Sequence, residues 1–184
     1  MIDFLYSIDT SVFYFLNNTI SVKFLDKFFL IITDVKHWYI AYIILWFLCF
    51  LKGGRIGKIA AIGAIILITV SDQLNSNVLK HLFERVRPCH VLDDVRLLVS
   101  CKGSYSFPSS HAFNNFAISL FFLTIFPRYK YPLLIGATLV AISRPYIGIH
   151  YPSDVLAGAV FGAGFGYLFA LAALKLDNYF ETRK

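Results

Sequence analysis

The amino-acid sequence predicts an all-α protein, a polytopic transmembrane helical bundle of about five to six spans with a site at one membrane face. Of its 184 residues, 58% are hydrophobic, and the mean hydropathy is +0.66. Several apolar stretches approach the ~20 residues that cross ~30 Å of hydrocarbon. Polar residues concentrate in a few short segments. We therefore expect one membrane-embedded domain over residues 1–184.

The N-terminal segment, residues 1–33, has the least regular pattern. Polar residues interrupt its apolar run at Asp9, Asn17, Asn18, Lys23, Asp26 and Lys27. Residues 1–33 therefore fit either an interfacial helix with a partial span or one imperfect span. Because no basic region precedes the apolar run, we do not expect a cleaved signal peptide.

Five clearer helices follow in chain order. They are predicted over residues 36–51, about 56–80, 111–126, about 131–143 and 154–174. Gly53-Gly54, Pro127 and Pro145 provide stop signals for three of them. The last helix, at ~1.5 Å per residue, is long enough to cross a bilayer once. Residues 81–107 form a loop of mixed charge.

A stripe of glycines marks the last predicted helix. Gly158, Gly162 and Gly166 recur every four residues and line one face with small side chains. Such a face allows close approach of another helix backbone, so we expect tight helix packing here and no ligand role.

Three short polar segments stand out from the apolar background. They are Lys80-x6-Arg87-Pro88, Phe107-Pro108-Ser109-Ser110-His111 and Ser143-Arg144-x5-His150-x3-Asp154. Ionisable groups are costly within a membrane, so they indicate a functional site. Successive helices cross in alternate directions, and this parity places all three segments at the same membrane face.

Positive charge predicts the orientation. The face opposite the polar segments carries Lys52, Arg55, Lys58, Arg128, Lys130, Lys175, Arg183 and Lys184. Apart from the three cations of the segments, their own face carries Lys36, Arg85, Arg96 and Lys102. Because positive charge favours the cytoplasmic side, we expect the polar segments to face outward, towards the periplasm of a bacterial inner membrane. The net charge of +6 is dispersed, which excludes a nucleic-acid partner.

The first two segments suit an anion. Lys80 and Arg87 share a helix face if the helix continues to Pro88, and they would offer a point charge and a planar fork to a phosphate. The alternative is a solvated basic helix end. Ser109 and His111 lie where a helix begins, and free N–H groups of a first turn bind anions. The alternative there is an ordinary serine cap.

The third segment adds a nucleophile. Arg144 is a third cation, and Asp154 follows His150 by four residues. A carboxylate at that spacing can accept one imidazole N–H and leave the other nitrogen free to attack phosphorus. The alternative is a capped helix with an interfacial histidine.

Together the three segments resemble the tripartite signature of the type-2 phosphatidic acid phosphatase superfamily, which also includes bacterial acid phosphatases and vanadium haloperoxidases. The resemblance covers roughly residues 56–174 in order. One position departs from it, since the family usually has glycine where Ser110 stands. The backbone N–H of Ser110 remains available to phosphate, while its hydroxyl is an added group.

The resemblance implies a role for each residue. His150 would be the phosphorylated nucleophile, Asp154 would orient it, and His111 would protonate the leaving group and then activate water. Lys80, Arg87, Ser109, Ser110 and Arg144 would bind the phosphate. No metal ion and no organic cofactor is implied, because cations and amides neutralise the developing charge.

These roles predict a membrane lipid phosphatase. The substrates we expect are lipid A 1-phosphate or undecaprenyl pyrophosphate, with phosphatidylglycerophosphate, phosphatidic acid or phosphotransfer to another acceptor as alternatives. A vanadate-dependent oxidase would share the anion site, but such relatives are larger and soluble. A lipid-binding or transport protein is the non-enzymatic alternative. The partners are thus the lipid phosphate and the bilayer, and the sequence leaves the oligomeric state open.

Cysteines leave one further question open. Cys49 lies in an apolar stretch and is a packing residue, whereas Cys89 and Cys101 share the polar loop. They can form a disulfide if that loop faces an oxidising compartment. With His90 they also resemble a zinc site, but a fourth ligand at a suitable spacing is missing.

Overall fold

The computed structural model describes residues 2–183. Helix accounts for 81% of the structure, and the described residues contain no strand, so the all-α prediction is confirmed. The helices are α1 (Ile2–Tyr14), α2 (Lys23–Thr33), α3 (Tyr39–Lys52), α4 (Gly54–Gln73), α5 (Lys80–Phe83), α6 (Pro88–Val91), α7 (Ser110–Ile125), α8 (Lys130–Tyr146) and α9 (Pro152–Glu181). Within residues 2–183, the stretches Val35–Lys52, Gly54–Val91 and Pro152–Glu181 are long and apolar enough to cross a membrane.

Three helix boundaries differ from the predicted ones. α8 runs through Pro145 and ends at Tyr146, because a proline in the last turn removes one hydrogen bond without preventing that turn from closing. α9 continues to Glu181, beyond the predicted residue 174. The second predicted helix is divided by a π-helical segment at Leu74–Leu79, which separates α4 from α5.

The N-terminal segment forms two helices, α1 and α2. α1 ends in a π-helical segment, Phe15–Thr19, and a turn leads into α2. Asn17 lies in that segment and is fully buried. Its amide donates to the carbonyl oxygens of Arg96 and Tyr146, both at 2.8 Å, and its own oxygen accepts the Arg96 N–H. The buried amide of Asn17 therefore connects the N-terminal segment to the polar loop and to the end of α8.

The glycine stripe packs α9 against α7, as predicted. A Cβ atom added at Gly162 would lie 2.1 Å from the carbonyl oxygen of Phe113, and one at Gly166 would lie 2.0 Å from that of Ala117. At Gly158 the corresponding contact is 2.6 Å from the Ser109 oxygen. Any side chain larger than hydrogen would force the two backbones apart.

Two apolar clusters complete the scaffold. Leu67 of α4 and Phe121 of α7 are fully buried and pack with Ala170 of α9. The second cluster joins Phe29 of α2 to Tyr146 and the residues that follow it. By contrast, α3 has no buried residue, and its apolar side chains form an outer surface suited to lipid.

We predict that Gly162→Leu strongly destabilises the fold. The added side chain would meet the Phe113 backbone, and overpacking typically costs about 1–3 kcal/mol and occasionally more. Thermal unfolding in detergent measures the loss. Gly164→Leu is the matched control, because nothing lies within 4 Å of a Cβ at that position. Equal unfolding temperatures for the two variants would contradict the packing account.

Candidate active site

Lys80 and Arg87 reach one site by a route that the sequence did not predict. The helix does not continue to Pro88: it ends after Phe83, where Glu84 adopts a left-handed backbone with φ of 46°. The same-face argument for the two cations is therefore wrong. Arg87 instead takes an extended conformation before Pro88, as residues before proline favour.

Both cations are buried and held by the loop before α7. The ammonium group of Lys80 donates to the carbonyl oxygen of Tyr105. Arg87 donates from Nε to the Ser104 oxygen at 2.7 Å and from Nη1 to the Ile149 oxygen at 2.8 Å. A solvated basic helix end, the alternative for this segment, does not fit two cations that are 5% and 4% exposed.

His150 has its ring fixed by contacts on both sides. Nε2 lies 3.1 Å from Nη1 of Arg87, and Nδ1 lies 3.4 Å from Oδ2 of Asp154. A guanidinium can only donate, so Nε2 accepts this hydrogen bond and the proton resides on Nδ1, facing the carboxylate. The unprotonated ring nitrogen is therefore Nε2, beside a cation.

Asp154 is fully buried at the start of α9. Its Oδ2 accepts the N–H of Tyr151 at 2.8 Å and the hydroxyl of Ser106, while Oδ1 accepts from Arg85 at 2.7 Å. The carboxylate is thus bound on several sides, and its link to His150 is the longest of these contacts. The interfacial-histidine alternative fails, because His150 is only 2% exposed.

Ser109, Ser110 and His111 begin α7. The Ser109 N–H donates to the carbonyl oxygen of Asp154 at 3.0 Å, which joins the starts of α7 and α9. Ser109 forms no side-chain cap, so the ordinary-cap alternative is wrong. Its hydroxyl is buried and has no hydrogen-bond partner within the described residues. His111 follows in the first turn, at the same end of the helix.

Arg144 approaches from the end of α8 and is 5% exposed. Its Nη1 donates to the hydroxyl of Thr33 in α2, and its Nε has no hydrogen-bond partner within residues 2–183. Unpaired buried donors are rare and need an explanation. The Arg144 Nε and the Ser109 hydroxyl are both suited to the oxygen atoms of an anion such as phosphate.

Several residues at the site were not identified from the sequence. In the sequence, Arg85 contributes only to the charge balance and Asp9 interrupts an apolar run, while Ser106 and Asn75 belong to no motif. Asp9 carried a signal, because a carboxylate in an apolar helix needs a partner. The side chain of Asn114 in α7 forms hydrogen bonds with Ser71 and Asp72 of α4.

The Ser110 hydroxyl, absent from the usual family pattern, has a defined partner. Asn75 of the π-helical segment donates to it at 2.7 Å and to the Pro108 carbonyl oxygen at 3.3 Å. Asn75 is fully buried. The hydroxyl therefore links the π-helical segment after α4 to the first turn of α7. Because the hydroxyl bonds Asn75, it does not occupy the Ser110 N–H.

Cys89 and Cys101 are joined in a disulfide, with Cα atoms 6.4 Å apart. His90 Nε2 lies 3.2 Å from the Cys101 sulfur. Sulfur atoms bonded to each other lack the thiolate charge that metal ligation requires. The bond closes the loop between Arg87 and Ser104, two residues that contact each other at the site.

Comparison with known proteins identifies the family. The family model of the PAP2 superfamily matches residues 59–177, nearly two thirds of the chain. The chain belongs to the PAP2 superfamily. The matched residues contain every polar segment described above, from Lys80 to Asp154, whereas α1 and α2 lie before them.

Three relatives of this PAP2 protein are lipid A phosphatases. A lipid A 4'-phosphatase of Bacteroides thetaiotaomicron is 32% identical, with 99% of this chain and 84% of the relative covered. One from Porphyromonas gingivalis is 30% identical, covering 90% and 72%. A lipid A 1-phosphatase of Rhizobium johnstonii is 36% identical, covering 65% and 51%. This chain is a membrane lipid phosphatase of the PAP2 superfamily.

Two solved structures share the fold. LpxE of Aquifex aeolicus is 28% identical with a TM-score of 0.67, and 90% of this chain and 94% of that one are covered. The transmembrane PAP2-type phosphatidylglycerolphosphate phosphatase of Bacillus subtilis is 26% identical, also with a TM-score of 0.67, and covers 95% and 87%. The membrane-bundle fold extends over almost the whole PAP2 chain, including the N-terminal helices.

We predict that Ser110→Gly preserves phosphatase activity but lowers stability. The backbone N–H remains, whereas Asn75 loses a hydrogen-bond acceptor, which costs about 1–3 kcal/mol for a buried group. Phosphate-release kinetics and thermal unfolding measure the two effects. A loss of activity at unchanged stability would show instead that the hydroxyl itself contacts the substrate.

Proposed function

We propose that this protein hydrolyses a phosphate monoester of lipid A through a phosphohistidine intermediate at His150. The observation that carries the proposal is the arrangement around Nε2 of His150. A lone pair lies beside the Arg87 guanidinium, and two unpaired buried donors, on Ser109 and Arg144, lie in segments that meet there. These groups suit a phosphate facing a nitrogen nucleophile.

The first step transfers the phosphoryl group to the protein. The lone pair of His150 Nε2 attacks phosphorus, and the bond from phosphorus to the lipid oxygen breaks with its electron pair on that oxygen. His111, protonated at the start of this step, donates its proton to the leaving oxygen and is left neutral. Lys80, Arg87 and Arg144 stabilise the negative charge on the equatorial oxygens, with the Ser109 hydroxyl and free N–H groups of the α7 first turn.

The second step releases phosphate. Neutral His111 takes a proton from water, the resulting hydroxide attacks phosphorus, and the bond to Nε2 breaks with its electron pair returned to His150. Water is the only co-substrate of the hydrolysis. The three cations supply the positive charge that a metal ion would otherwise provide, so we propose a metal-independent reaction.

His150 is neutral before the reaction. Burial lowers its pKa below the ordinary value, and the positive charges of Arg87 and Arg144 act in the same direction, against the opposing effect of Asp154. An uncharged imidazole at neutral pH retains the Nε2 lone pair, which can attack phosphorus once the Arg87 N–H turns from it to the phosphate. Once phosphorylated, the ring becomes cationic, and the Asp154 carboxylate stabilises that charge through Nδ1.

An apolar groove beside the site supports a lipid substrate. Its volume is about 260 Å³, and its lining includes Leu16, Phe116, Ile142, Pro145, Val155 and Leu156. Pro145 directly follows Arg144, so the groove begins next to a phosphate-binding cation. A hydrocarbon chain there would leave its phosphate within reach of the site.

Relatives favour lipid A and its 4′ position. The two lipid A 4'-phosphatases match 99% and 90% of this chain, whereas the 1-phosphatase of Rhizobium johnstonii matches 65%. The 4′-phosphate therefore takes precedence in this proposal over the 1-phosphate expected from the sequence. Undecaprenyl pyrophosphate is the second candidate, because an undecaprenyl-diphosphatase of Sulfolobus acidocaldarius matches 66% of this chain at 31% identity.

Two observations support an outward-facing site in a bacterial inner membrane. The excess of Lys and Arg lies at the opposite ends of the helices, which favours the cytoplasm. The Cys89–Cys101 disulfide lies on the site side, and disulfides persist in oxidising compartments such as the periplasm. A single domain spanning residues 1–184 is also part of the proposal, supported by contacts from α1 and α2 to the site.

We predict that His150→Ala abolishes phosphate release while the fold persists. Purified protein in detergent is assayed with lipid A 1,4′-bisphosphate, undecaprenyl pyrophosphate and phosphatidic acid. Removal of a nucleophile lowers turnover by about 10³-fold or more. With ³²P-labelled lipid, the parent forms an acid-labile labelled protein, whereas His150→Ala forms none.

His37→Ala is the matched control, since His37 is exposed and lies outside the site. Mass spectrometry of the lipid product shows which phosphate is lost. Phosphate release by His150→Ala at the parent rate would contradict the mechanism, and loss of activity in EDTA would contradict metal independence. Faster release from another lipid would reassign the substrate.

A further inference from the structure

Arg85 lies between two buried carboxylates, those of Asp154 and Asp9. Its Nη1 donates to Oδ1 of Asp154 at 2.7 Å, and its Nη2 donates to Oδ2 of Asp9 at 2.7 Å. The guanidinium also stacks on the Tyr151 ring, 3.9 Å from its centroid. The planar fork of arginine suits this bridging position, because each of its two arms reaches a different carboxylate.

Because both carboxylates are buried, the positive charge of Arg85 matters for their stability. The side chains of Asp9 and Asp154 are 9% and 0% exposed, and an uncompensated buried charge is strongly destabilising. The described residues show no other salt-bridging Lys or Arg at either carboxylate. Without Arg85, Asp154 would keep only uncharged donors and His150.

Asp9 also fixes the start of α9. Its Oδ1 accepts the Ser153 N–H at 2.8 Å, and its Oδ2 accepts the Ser153 hydroxyl. Ser153 directly precedes Asp154, so the same carboxylate holds both Arg85 and the backbone that carries Asp154. α1, which contributes Asp9, lies outside the residues matched by the family model.

We propose that Asp9 and Arg85 are positioning residues that hold the Asp154 carboxylate against Nδ1 of His150. They touch neither the phosphate nor the reacting atoms. Their effect is on the tautomer and orientation of the nucleophile, so it falls on kcat rather than on KM. The inference rests on His150 as the nucleophile.

Asp9→Asn and Arg85→Gln test the inference. Each variant removes a charge at nearly constant side-chain size. We expect kcat to fall roughly 10- to 100-fold, the range that loss of an outer-shell partner of a ligating histidine produces at metal sites, with KM within about twofold. Asp9→Glu retains the carboxylate and is expected to recover most of kcat. The rate of ³²P-phosphoenzyme formation in a single turnover should fall in parallel with kcat.

Asp26→Asn provides the matched control. Asp26 forms a salt bridge with Arg96 at 2.8 Å, and Arg96 lies over the Tyr146 ring. This pair therefore also connects the N-terminal segment to the polar loop. It does not contact Asp154. A general loss of scaffold stability would affect this variant as well, whereas a positioning role predicts normal kcat for Asp26→Asn at a comparable unfolding temperature.

The possible outcomes separate this inference from the proposed function. If His150→Ala is inactive but Asp9→Asn and Arg85→Gln match Asp26→Asn in kcat, the inference is overturned and the function stands. If His150→Ala is active, the proposed function itself fails. Should Arg85→Gln not fold, Arg85→Lys serves instead, because its single nitrogen cannot span both carboxylates and the same fall in kcat is expected.

Discussion

The close approach of α7 and α9 is the constraint on which the rest of the site depends. Backbone atoms of α7 occupy the space that side chains at Gly162 and Gly166 would need. Because the two helices meet this closely, the Ser109 N–H reaches the Asp154 carbonyl oxygen at 3.0 Å. The start of α7 is thereby fixed beside the start of α9, which carries Asp154, the carboxylate partner of His150. The glycines of α9 thus help to determine the geometry of the site.

The scaffold must also keep several like charges together in a small buried region. It does so by giving each cation a specific acceptor: Lys80 contacts the Tyr105 carbonyl oxygen, Arg87 the Ser104 and Ile149 carbonyl oxygens, and Arg144 the Thr33 hydroxyl. These acceptors come from the polar loop, from the turn between α8 and α9 and from α2. The N-terminal segment and the polar loop are therefore structural parts of the site. Because the three cations are already fixed by these acceptors, they need little reorganisation when negative charge develops on a phosphate.

Much of this site was predictable, and the failures have physical reasons. Motif spacing and helix parity predicted one site for Lys80, Arg144 and His150, because parity depends only on the number of crossings. The shared helix face of Lys80 and Arg87 depended on a helix that continues to Pro88, and this condition is not met, since the helix ends at a left-handed residue, Glu84, without a glycine or proline before it. The Arg85 bridge joins residues 76 positions apart in sequence, and such a pairing follows from tertiary packing rather than from local pattern. The family pattern likewise gave no partner for the Ser110 hydroxyl.

The central claim is that phosphate binds against Nε2 of His150, between the cations of three separate segments. A structure of the protein with orthovanadate, which mimics five-coordinate phosphorus, tests this most directly. We expect vanadium bonded to Nε2 of His150, with equatorial oxygens on the Ser109 hydroxyl and Arg144 Nε. Vanadate bound elsewhere, or bound without a contact to His150, would contradict the account.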